Sequence, residues 1–147
     1  MSDKPKKIVH IHLDSQNYKT VLNAGDHQLI ADEPESAGGQ DLGPDPYDLL
    51  LMSLGTCTAI TLRMYAERKG WPVEDIYLEL RHHKDHAEDC EDCDDPRAMI
   101  DKIEKEVIVK GDLDEEQINR LLEISQKCPV YKTLTGEVSI DSSIEKR

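Results

Sequence analysis

Two cysteines, Cys57 and Cys128, are the residues of this sequence best suited to nucleophilic or redox chemistry. Cys57 lies within the apolar run L-G-T-C-T-A-I-T-L-R, and Cys128 lies within K-C-P-V-Y-K-T-L. A thiolate attacks peroxides and disulfides, whereas a buried, protonated thiol behaves as a small apolar side chain. The first question is therefore whether these two thiols react or only fill space in the core.

Both cysteines fall on apolar stripes of predicted helices, because residues three or four positions apart share one face of a helix. Residues 46–70 are expected to form a long helix, with one stripe made of Leu50, Leu54, Cys57, Thr61 and Met64. Asp114 is expected to cap a second helix, with a stripe made of Ile118, Leu121, Leu122, Ser125 and Cys128. If both stripes face one core, the two sulfurs can meet, although the sequence does not fix their distance.

The predicted helix ends suggest different roles for the two thiols. Pro129 is expected to end the second helix, which would place Cys128 at a helix C-terminus, where the partial negative charge disfavours a thiolate. Cys57 lies in the middle of its helix and needs a nearby cation to ionise. On this reasoning Cys57 is the better attacking thiol and Cys128 the better resolving thiol, while a packing role for both stays open.

The long helix carries several position-specific signals. Asp45 can cap it, Pro46 suits its first position, and Gly70 followed by Pro72 predicts its end. Residues 49–62 contain no charged side chain, so this half is expected to be buried on every side. Gly55, in its middle, is unfavourable in a helix and predicts that another backbone approaches closely.

Alternating patterns predict the strands. They cover residues 6–14, 18–23, 27–31, 75–83, 99–110 and 136–140. Residues 32–46 form a long loop without periodicity, a kind of segment that is often functional. The resulting order of elements is βββ, long helix, ββ, helix, β, which predicts one α+β domain over residues 1–147.

Composition narrows the class of function. The net charge of -13 argues against nucleic acid and against anionic membrane surfaces as partners. The N-terminus lacks the apolar run of a signal peptide, and the uncharged stretch from Leu49 to Leu62 is shorter than the roughly 20 residues that span a bilayer. We therefore expect a cytoplasmic protein whose cysteines are reduced, redox-active or metal-bound rather than in structural disulfides.

A second group of possible ligands lies in R-H-H-K-D-H-A-E-D-C-E-D-C, residues 81–93. His82, His86, Cys90 and Cys93 could form a zinc site, or the C-x-x-C pair could be redox-active. The many interspersed acidic residues favour a solvated loop instead, and no metal or other cofactor is assigned.

Three segments of this sequence resemble the OsmC/Ohr family of small thiol-dependent proteins. The longest is G-P-D-P-Y-D-L-L-L-M-S-L-G-T-C-T-A-I-T-L-R-M-Y-A-E-R-K-G-W-P, with D-E-P…G-G before it and K-C-P-V-Y-K-T-L after it. The resemblance extends from Tyr18 to Ile140. It implies an intertwined α+β homodimer, with antiparallel sheets around two long central helices and active sites between the subunits. It also implies that Cys57 attacks an organic hydroperoxide, that Cys128 resolves the sulfenic acid to a disulfide, and that an external dithiol reduces the pair. Leu50, Leu54 and Met64 would then supply apolar walls.

The sequence departs from the peroxidases of that family at two positions. They place an N-terminal Arg and a Glu near the reactive thiol, whereas this chain has no Arg before Arg63. Lys19 is the nearest basic substitute, and Tyr47 or Asp48 would replace the Glu. The predicted catalytic residues are therefore Cys57, Cys128, Asp48 and Lys19. The missing Arg also leaves open a non-enzymatic dimer that binds a small apolar ligand, and the His82–Cys93 loop leaves open a metal-binding module.

Overall fold

The computed structural model describes residues 6–86 and 99–147, except for the side chain of His86. Contacts within the chain group it into two compact units, residues 1–50 and residues 51–147.

The first unit contains a three-stranded antiparallel meander. Its strands are β1 (His10–Leu13), β2 (Thr20–Ala24) and β3 (His27–Ala31), in the spatial order β1-β2-β3. Ala24 pairs with His27, so two residues close the second hairpin. Gly25 there has a φ of 59°, a conformation that glycine adopts without steric cost. The predicted opening meander is confirmed.

A single carboxylate organises the long loop that follows β3. Asp32 is 2% exposed. Its side chain accepts hydrogen bonds from the backbone N–H groups of Glu33 at 2.7 Å, Gln40 at 3.2 Å and Leu42 at 3.2 Å. The predicted loop therefore has a defined path, which includes one short 3-10 turn at Glu35–Ala37.

Helix α1 (Pro46–Lys69) begins and ends where its sequence signals predict. Asp45 accepts a hydrogen bond from the Asp48 N–H at 2.8 Å, and the Asp48 carboxylate accepts one from the Asp45 N–H at 3.1 Å. At the other end Gly70 has a φ of 69°, and the Trp71 N–H reaches back to the Ala66 carbonyl at 2.9 Å. This backbone pattern stops the helix by satisfying carbonyls of its last turn.

The prediction that the first half of α1 is buried on every side is wrong for the chain by itself. One face is buried, made of Leu54, Gly55, Thr58, Leu62, Tyr65 and Ala66. On the other sides Met52, Ile60 and Met64 are 54%, 50% and 64% exposed. An uncharged sequence shows which sides tolerate burial, but not which sides have neighbours.

Of the described helices, α1 is the one long and apolar enough to span a membrane, a property shared by core helices of soluble proteins.

The neighbour that approaches Gly55 is a side chain and not the predicted backbone. A Cβ atom at this position would lie 2.9 Å from Cδ1 of Leu80. The close approach is therefore made by a side chain, not by a backbone, and the expectation of backbone contact is wrong.

The second unit packs helices against a long two-stranded ladder. Strand β4 (Val73–His86) pairs antiparallel with β5 (Met99–Gly111), from Val73↔Gly111 to His86↔Met99. Helix α2 (Glu115–Ser125) follows, and Asp114 and Gln117 form the predicted capping box. The core is formed by Leu62, Tyr65, Ala66, Val73, Leu121 and Ile124. The predicted α+β class is confirmed.

The chain after α2 differs from prediction. A third helix, α3 (Pro129–Thr135), follows directly, and the predicted strand at residues 136–140 is absent from the described chain. An alternating sequence forms a strand only when a neighbouring edge accepts its hydrogen bonds. Val138 and Ile140 remain 54% and 81% exposed.

Candidate functional site

The two cysteines predicted to react meet within the second unit. Cys57 is half-buried on α1, Cys128 is fully buried, and the two form a near pair of free thiols. The Val130 N–H donates to Cys57 Sγ at 3.5 Å. Oγ1 of Thr58, the next residue on the helix, lies 3.5 Å from Cys128 Sγ. The predicted meeting of the two sulfurs is confirmed, but Cys128 lies beyond the end of α2 and is not part of its stripe.

The predicted position of Cys128 at a helix C-terminus is wrong. Helix α2 ends at Ser125, and Cys128 immediately precedes α3, whose first residue is Pro129. A residue before proline is pushed towards extended backbone, and Cys128 has φ -69° and ψ 149°. Its thiol therefore lies at the positive end of a helix, where a thiolate is favoured rather than disfavoured.

The surroundings of Cys128 lower the pKa of its thiol. Burial acts in the opposite direction and raises the pKa, because it disfavours the charged form. Hydrogen bonds from Thr58, from the backbone N–H of Tyr131 and from Cys57, together with the charge of Lys105, outweigh that effect. The thiol predicted to be the poorer nucleophile is thus the one that the protein helps to ionise.

Lys105 is a cation beside this pair, and sequence reasoning missed it. Its Nζ donates to the Ser125 carbonyl at 2.7 Å and to Thr58 Oγ1 at 3.0 Å, and lies 5.1 Å from the centre of the Tyr131 ring. Burial lowers the pKa of Lys105, and the charges of Cys128 and Cys57 partly offset this effect. The ammonium group is thus placed to balance a negative charge on either sulfur.

A signal for Lys105 was present in the sequence. Successive side chains of a strand point to opposite faces. Ile103, Lys105, Val107 and Val109 share one face of β5, and all four are partly buried. A single lysine in an otherwise apolar row is costly unless it has partners. That break in the pattern pointed to a functional or paired cation.

The other two predicted catalytic residues lie in the first unit. Lys19 directly precedes β2, and Asp48 lies in the first turn of α1, where its carboxylate accepts a hydrogen bond from Asp45. Neither observation tests a role in catalysis, so both roles stay predictions.

Two cavities border the site, and Lys105 lines both of them. The larger, of about 440 Å³, is mostly apolar and is also lined by Leu62, Val107, Val109, Leu121 and Leu122. The smaller, of about 250 Å³, is also lined by Leu54, Ile103, Tyr131 and Leu134. Of the three residues predicted to form apolar walls, Leu54 lines the smaller cavity, whereas Leu50 and the exposed Met64 line neither of the two.

The predicted histidine and cysteine cluster can be followed only in part. His82 Nε2 lies 2.9 Å from Oδ1 of Asp101, and Lys84 lies 2.9 Å from the same oxygen. These contacts with Lys84 and His82 lower the pKa of Asp101. Cys90 and Cys93 lie outside the described residues. Within the residues that are described, no group of three or more metal-binding side chains occurs.

Solved structures with the same fold include OsmC-like proteins and organic hydroperoxide resistance proteins. An OsmC-like protein from Mycoplasma pneumoniae has a TM-score of 0.71 at 19% identity, with 92% of this chain and 90% of that chain covered. The organic hydroperoxide resistance protein OhrB of Bacillus subtilis has a TM-score of 0.60 at 19% identity, with 89% and 91% covered. An organic hydroperoxide resistance protein OsmC from Legionella pneumophila has a TM-score of 0.65 at 15% identity, with 92% and 93% covered. These identities establish a common fold and nothing beyond it.

The sequence comparison is more specific than the structural one. No functionally curated protein matches the chain. The family model of the OsmC-like proteins matches residues 38–143, which include Cys57, Cys128 and Lys105. The chain therefore belongs to the OsmC-like protein family, within the OsmC/Ohr group.

Proposed function

We propose that this protein is a thiol-dependent peroxidase that reduces small organic hydroperoxides through Cys57 and Cys128. The observation that carries the proposal is the near pair of free thiols, supplied by different elements, beside a half-buried lysine. Membership of the OsmC-like family supports the same chemistry, since relatives of the same fold carry the name organic hydroperoxide resistance protein.

The half-buried Cys57 is the attacking residue in this proposal. Its thiolate attacks the outer peroxide oxygen, the O–O bond breaks, and a sulfenic acid and an alkoxide form, the latter leaving as an alcohol after it takes up a proton. Cys128 then attacks the sulfenic sulfur, the S–S bond forms, the S–O bond breaks and water leaves. The peroxide gains two electrons, and an external dithiol reduces the disulfide again.

The cavities favour an organic peroxide over hydrogen peroxide. The walls of the larger cavity are mostly leucine, isoleucine and valine, and such surfaces bind an alkyl group by removing it from water. The same walls favour a second candidate function, a protein that binds a small apolar ligand without turning it over.

A homodimer in the cytoplasm is part of the proposal. The exposed side of α1 carries Met52, Ile60 and Met64, side chains that a second copy of the chain would cover. The proposal assigns no metal, nucleic acid or membrane partner. A sedimentation equilibrium measurement of the parent and of Ile60→Asp tests the dimer, and an unchanged monomeric mass in both would contradict it.

The peroxidase proposal is tested with cumene hydroperoxide, dithiothreitol and three variants. Cys57→Ser is expected to abolish peroxide consumption. Cys128→Ser is expected to complete one turnover without reductant and to stop as a sulfenic acid that dimedone traps. The double variant Cys90→Ser/Cys93→Ser is the matched control and should keep the parent rate. Equal multiple-turnover rates in parent, Cys57→Ser and Cys128→Ser would refute the proposal, and tight ligand binding without consumption would favour the second candidate.

A further inference from the structure

Thr58 lies between a cation and a thiol. Its side chain is fully buried, and its Oγ1 accepts a hydrogen bond from Lys105 Nζ at 3.0 Å. The same oxygen donates to the Leu54 carbonyl at 2.9 Å and lies 3.5 Å from Cys128 Sγ. Three polar groups therefore meet at one buried hydroxyl group.

The partners of this hydroxyl fix the direction of its contact with Cys128. A hydroxyl group has one proton to donate and two lone pairs that accept. The ammonium of Lys105 can only donate and the Leu54 carbonyl can only accept, so the single proton of Thr58 is already used. A lone pair is left for Cys128 Sγ. In the resting protein the Cys128 thiol is therefore protonated and donates to Thr58.

We propose that the Thr58 hydroxyl relays the thiol proton of Cys128 to Lys105 in the resolving step. The inference deepens the proposed function and rests on it, because the resolving step is the second half of that reaction. Cys128 must lose its proton in order to attack, and it is fully buried, so solvent water is poorly placed to take that proton. The Thr58 oxygen is an acceptor already in contact with the reacting sulfur, which makes Thr58 a catalytic residue.

The first half of the reaction prepares Lys105 to accept this proton. The Cys57 thiolate attacks the outer peroxide oxygen, the O–O bond breaks, and a sulfenic acid and an alkoxide form. Lys105 lines both cavities beside the thiols, so its ammonium can give the alkoxide a proton, and an alcohol and a neutral amine result. Burial lowers the pKa of Lys105, which favours this transfer.

The neutral amine changes the partners of the hydroxyl. An amine has a lone pair, and the Thr58 proton can turn from the Leu54 carbonyl towards it. The carbonyl keeps its helical backbone hydrogen bond, so the turn leaves no buried group unpaired. The path from Cys128 through Thr58 to Lys105 is then a chain of two hydrogen bonds that point in the same direction.

The relay moves one proton along this chain. The Cys128 proton passes to Thr58 Oγ1 while the hydroxyl proton passes to the amine of Lys105. The Cys128 thiolate attacks the sulfenic sulfur of Cys57, the S–S bond forms, and the S–O bond breaks to release hydroxide. Lys105 gives a proton to the hydroxide, which leaves as water. When the external dithiol has reduced the disulfide, the Cys57 thiol returns a proton to the amine and the starting state is restored.

The lowered pKa of the Cys128 thiol fits this sequence of steps. Once the sulfur is ionised, the hydroxyl proton can turn to it, and a thiolate is a charged and stronger acceptor than a thiol. Thr58 therefore accepts from the resting thiol and donates to the thiolate that follows.

Several titratable groups surround the relay and enter any pH profile. Cys57 comes from α1, Tyr131 comes from α3 with its ring under the ammonium, and Lys105 comes from β5. Asp101, also on β5, lines the smaller cavity but is paired with a lysine and a histidine of β4. Helix α2 contributes the Ser125 carbonyl, which does not titrate. The test therefore uses a substitution at Thr58, which leaves all these groups in place.

The first measurement is a single turnover with one equivalent of cumene hydroperoxide and no reductant. All variants are made in a Cys90→Ser/Cys93→Ser background, and dimedone traps the sulfenic acid at successive times for mass spectrometry. Thr58→Val is expected to leave peroxide consumption nearly unchanged and to slow disulfide formation about tenfold or more near neutral pH, because a proton transfer group is lost. Thr58→Ser should keep the parent rate, and so should Thr56→Val, the same substitution at an exposed threonine of α1.

The pH profile separates a relay from a merely structural role. In Thr58→Val, hydroxide must remove the Cys128 proton, so disulfide formation should speed up steeply as the pH rises and approach the parent rate. The parent should depend less on pH. A substitution that only displaced the sulfurs would slow the step by the same factor at every pH.

The second measurement uses no peroxide. Dithiodipyridine forms a mixed disulfide with Cys57 and releases one thiopyridone, and Cys128 then displaces a second one, so two absorbance phases report the two steps. Burial lowers the pKa of Lys105, so its amine form is within reach even when no alkoxide has formed. Thr58→Val should slow the second phase several-fold and leave the first phase unchanged.

Three results would overturn the inference. They are equal disulfide formation in Thr58→Val and parent, an equally slow step in a folded Thr58→Ser, and a slow step in Thr58→Val that does not recover with pH. Circular dichroism of each variant separates a local change from unfolding. If the parent consumed no peroxide, the proposed function would fail, and the second phase with dithiodipyridine would still decide whether Thr58 carries the proton.

Discussion

Replacing Thr58 by valine removes one hydroxyl group while keeping nearly the same shape. The buried oxygen bonds Lys105 at 3.0 Å and lies 3.5 Å from Cys128 Sγ. The Leu54 carbonyl also accepts the α-helical backbone hydrogen bond, so it keeps a partner when the Thr58 hydroxyl is removed. The main consequence is therefore that the half-buried ammonium of Lys105 loses one of its two acceptors.

The size of the effect follows from the type of bond that is lost. A hydrogen bond to a charged group contributes about 1.5–3 kcal/mol, and Lys105 keeps its second bond to the Ser125 carbonyl. We expect Thr58→Val to lower the free energy of unfolding by about 2 kcal/mol. Thr58→Ser keeps the hydroxyl and loses one buried methyl group, which costs about 1 kcal/mol.

A double-mutant cycle isolates the bond between the two residues. The free energy of unfolding is measured by urea denaturation of reduced parent, Thr58→Val, Lys105→Met and the double variant. The expected coupling energy is about 1.5 kcal/mol, because valine should cost much less once the ammonium is absent. A coupling energy below about 0.5 kcal/mol, within the usual error of additivity, would refute the claim that Thr58 and Lys105 act as a unit. The same cycle with Thr58→Ser in place of Thr58→Val should give a coupling energy near zero, because serine keeps the hydroxyl group.

Three further outcomes are expected. Asp32→Ala should lower the free energy of unfolding in urea by about 3 kcal/mol, because three backbone N–H groups lose a charged acceptor. Asp26→Ala, at an exposed position, is the control and should change it by less than about 0.5 kcal/mol. Equal effects would contradict the role of the buried carboxylate. Gly55→Ala should leave the free energy of unfolding of the parent nearly unchanged, because a gain in helix propensity of about 1 kcal/mol is offset by displacement of Leu80. In the Leu80→Ala variant the same substitution should raise the free energy of unfolding by about 1 kcal/mol. Destabilisation in both backgrounds would count against this explanation. The lowered pKa of Cys128 should make reduced parent gain stability relative to Cys128→Ser as the pH rises towards the ordinary thiol pKa of about 8.5, because the unfolded thiol binds more protons below that pH. A difference that is constant or falls with pH would show that the thiol is not shifted as described.

Local signals in the sequence predicted both ends of α1 and the start of α2. Asp45, Gly70 and Asp114 have short-range roles, since a cap needs only residues three or four positions away, and all three perform the predicted role. The meeting of Cys57 and Cys128 was predicted from helical periodicity, but Cys128 lies beyond the end of α2, so the two thiols do not meet through two helical stripes. The family resemblance added the same pairing independently.

The predictions that failed depended on partners that the sequence does not specify. Pro129 was consistent with either the end of one helix or the start of the next, and only the extended conformation of Cys128 decides between them. Lys105, the cation near the thiols, lies on β5, and the whole of β4 separates it from α1 in the sequence. Its proximity to Cys57 is therefore a property of the fold. The strand predicted at residues 136–140 required a neighbouring edge, which the described chain does not provide.

Cys57 and Thr58 are consecutive, yet each meets a different partner on the far side of the site. Successive residues of an α-helix are rotated by about 100°, so the two side chains can reach Val130 and Cys128 respectively only in one rotational setting of the helix. Leu62 and Ala66 fix that setting from the core. Adding or removing one residue between Thr58 and Leu62 would rotate Cys57 and Thr58 away from their partners together, even though neither residue had been substituted. Length in this part of α1 is therefore more tightly constrained than composition, and screening single-residue insertions along the helix would map the constraint directly.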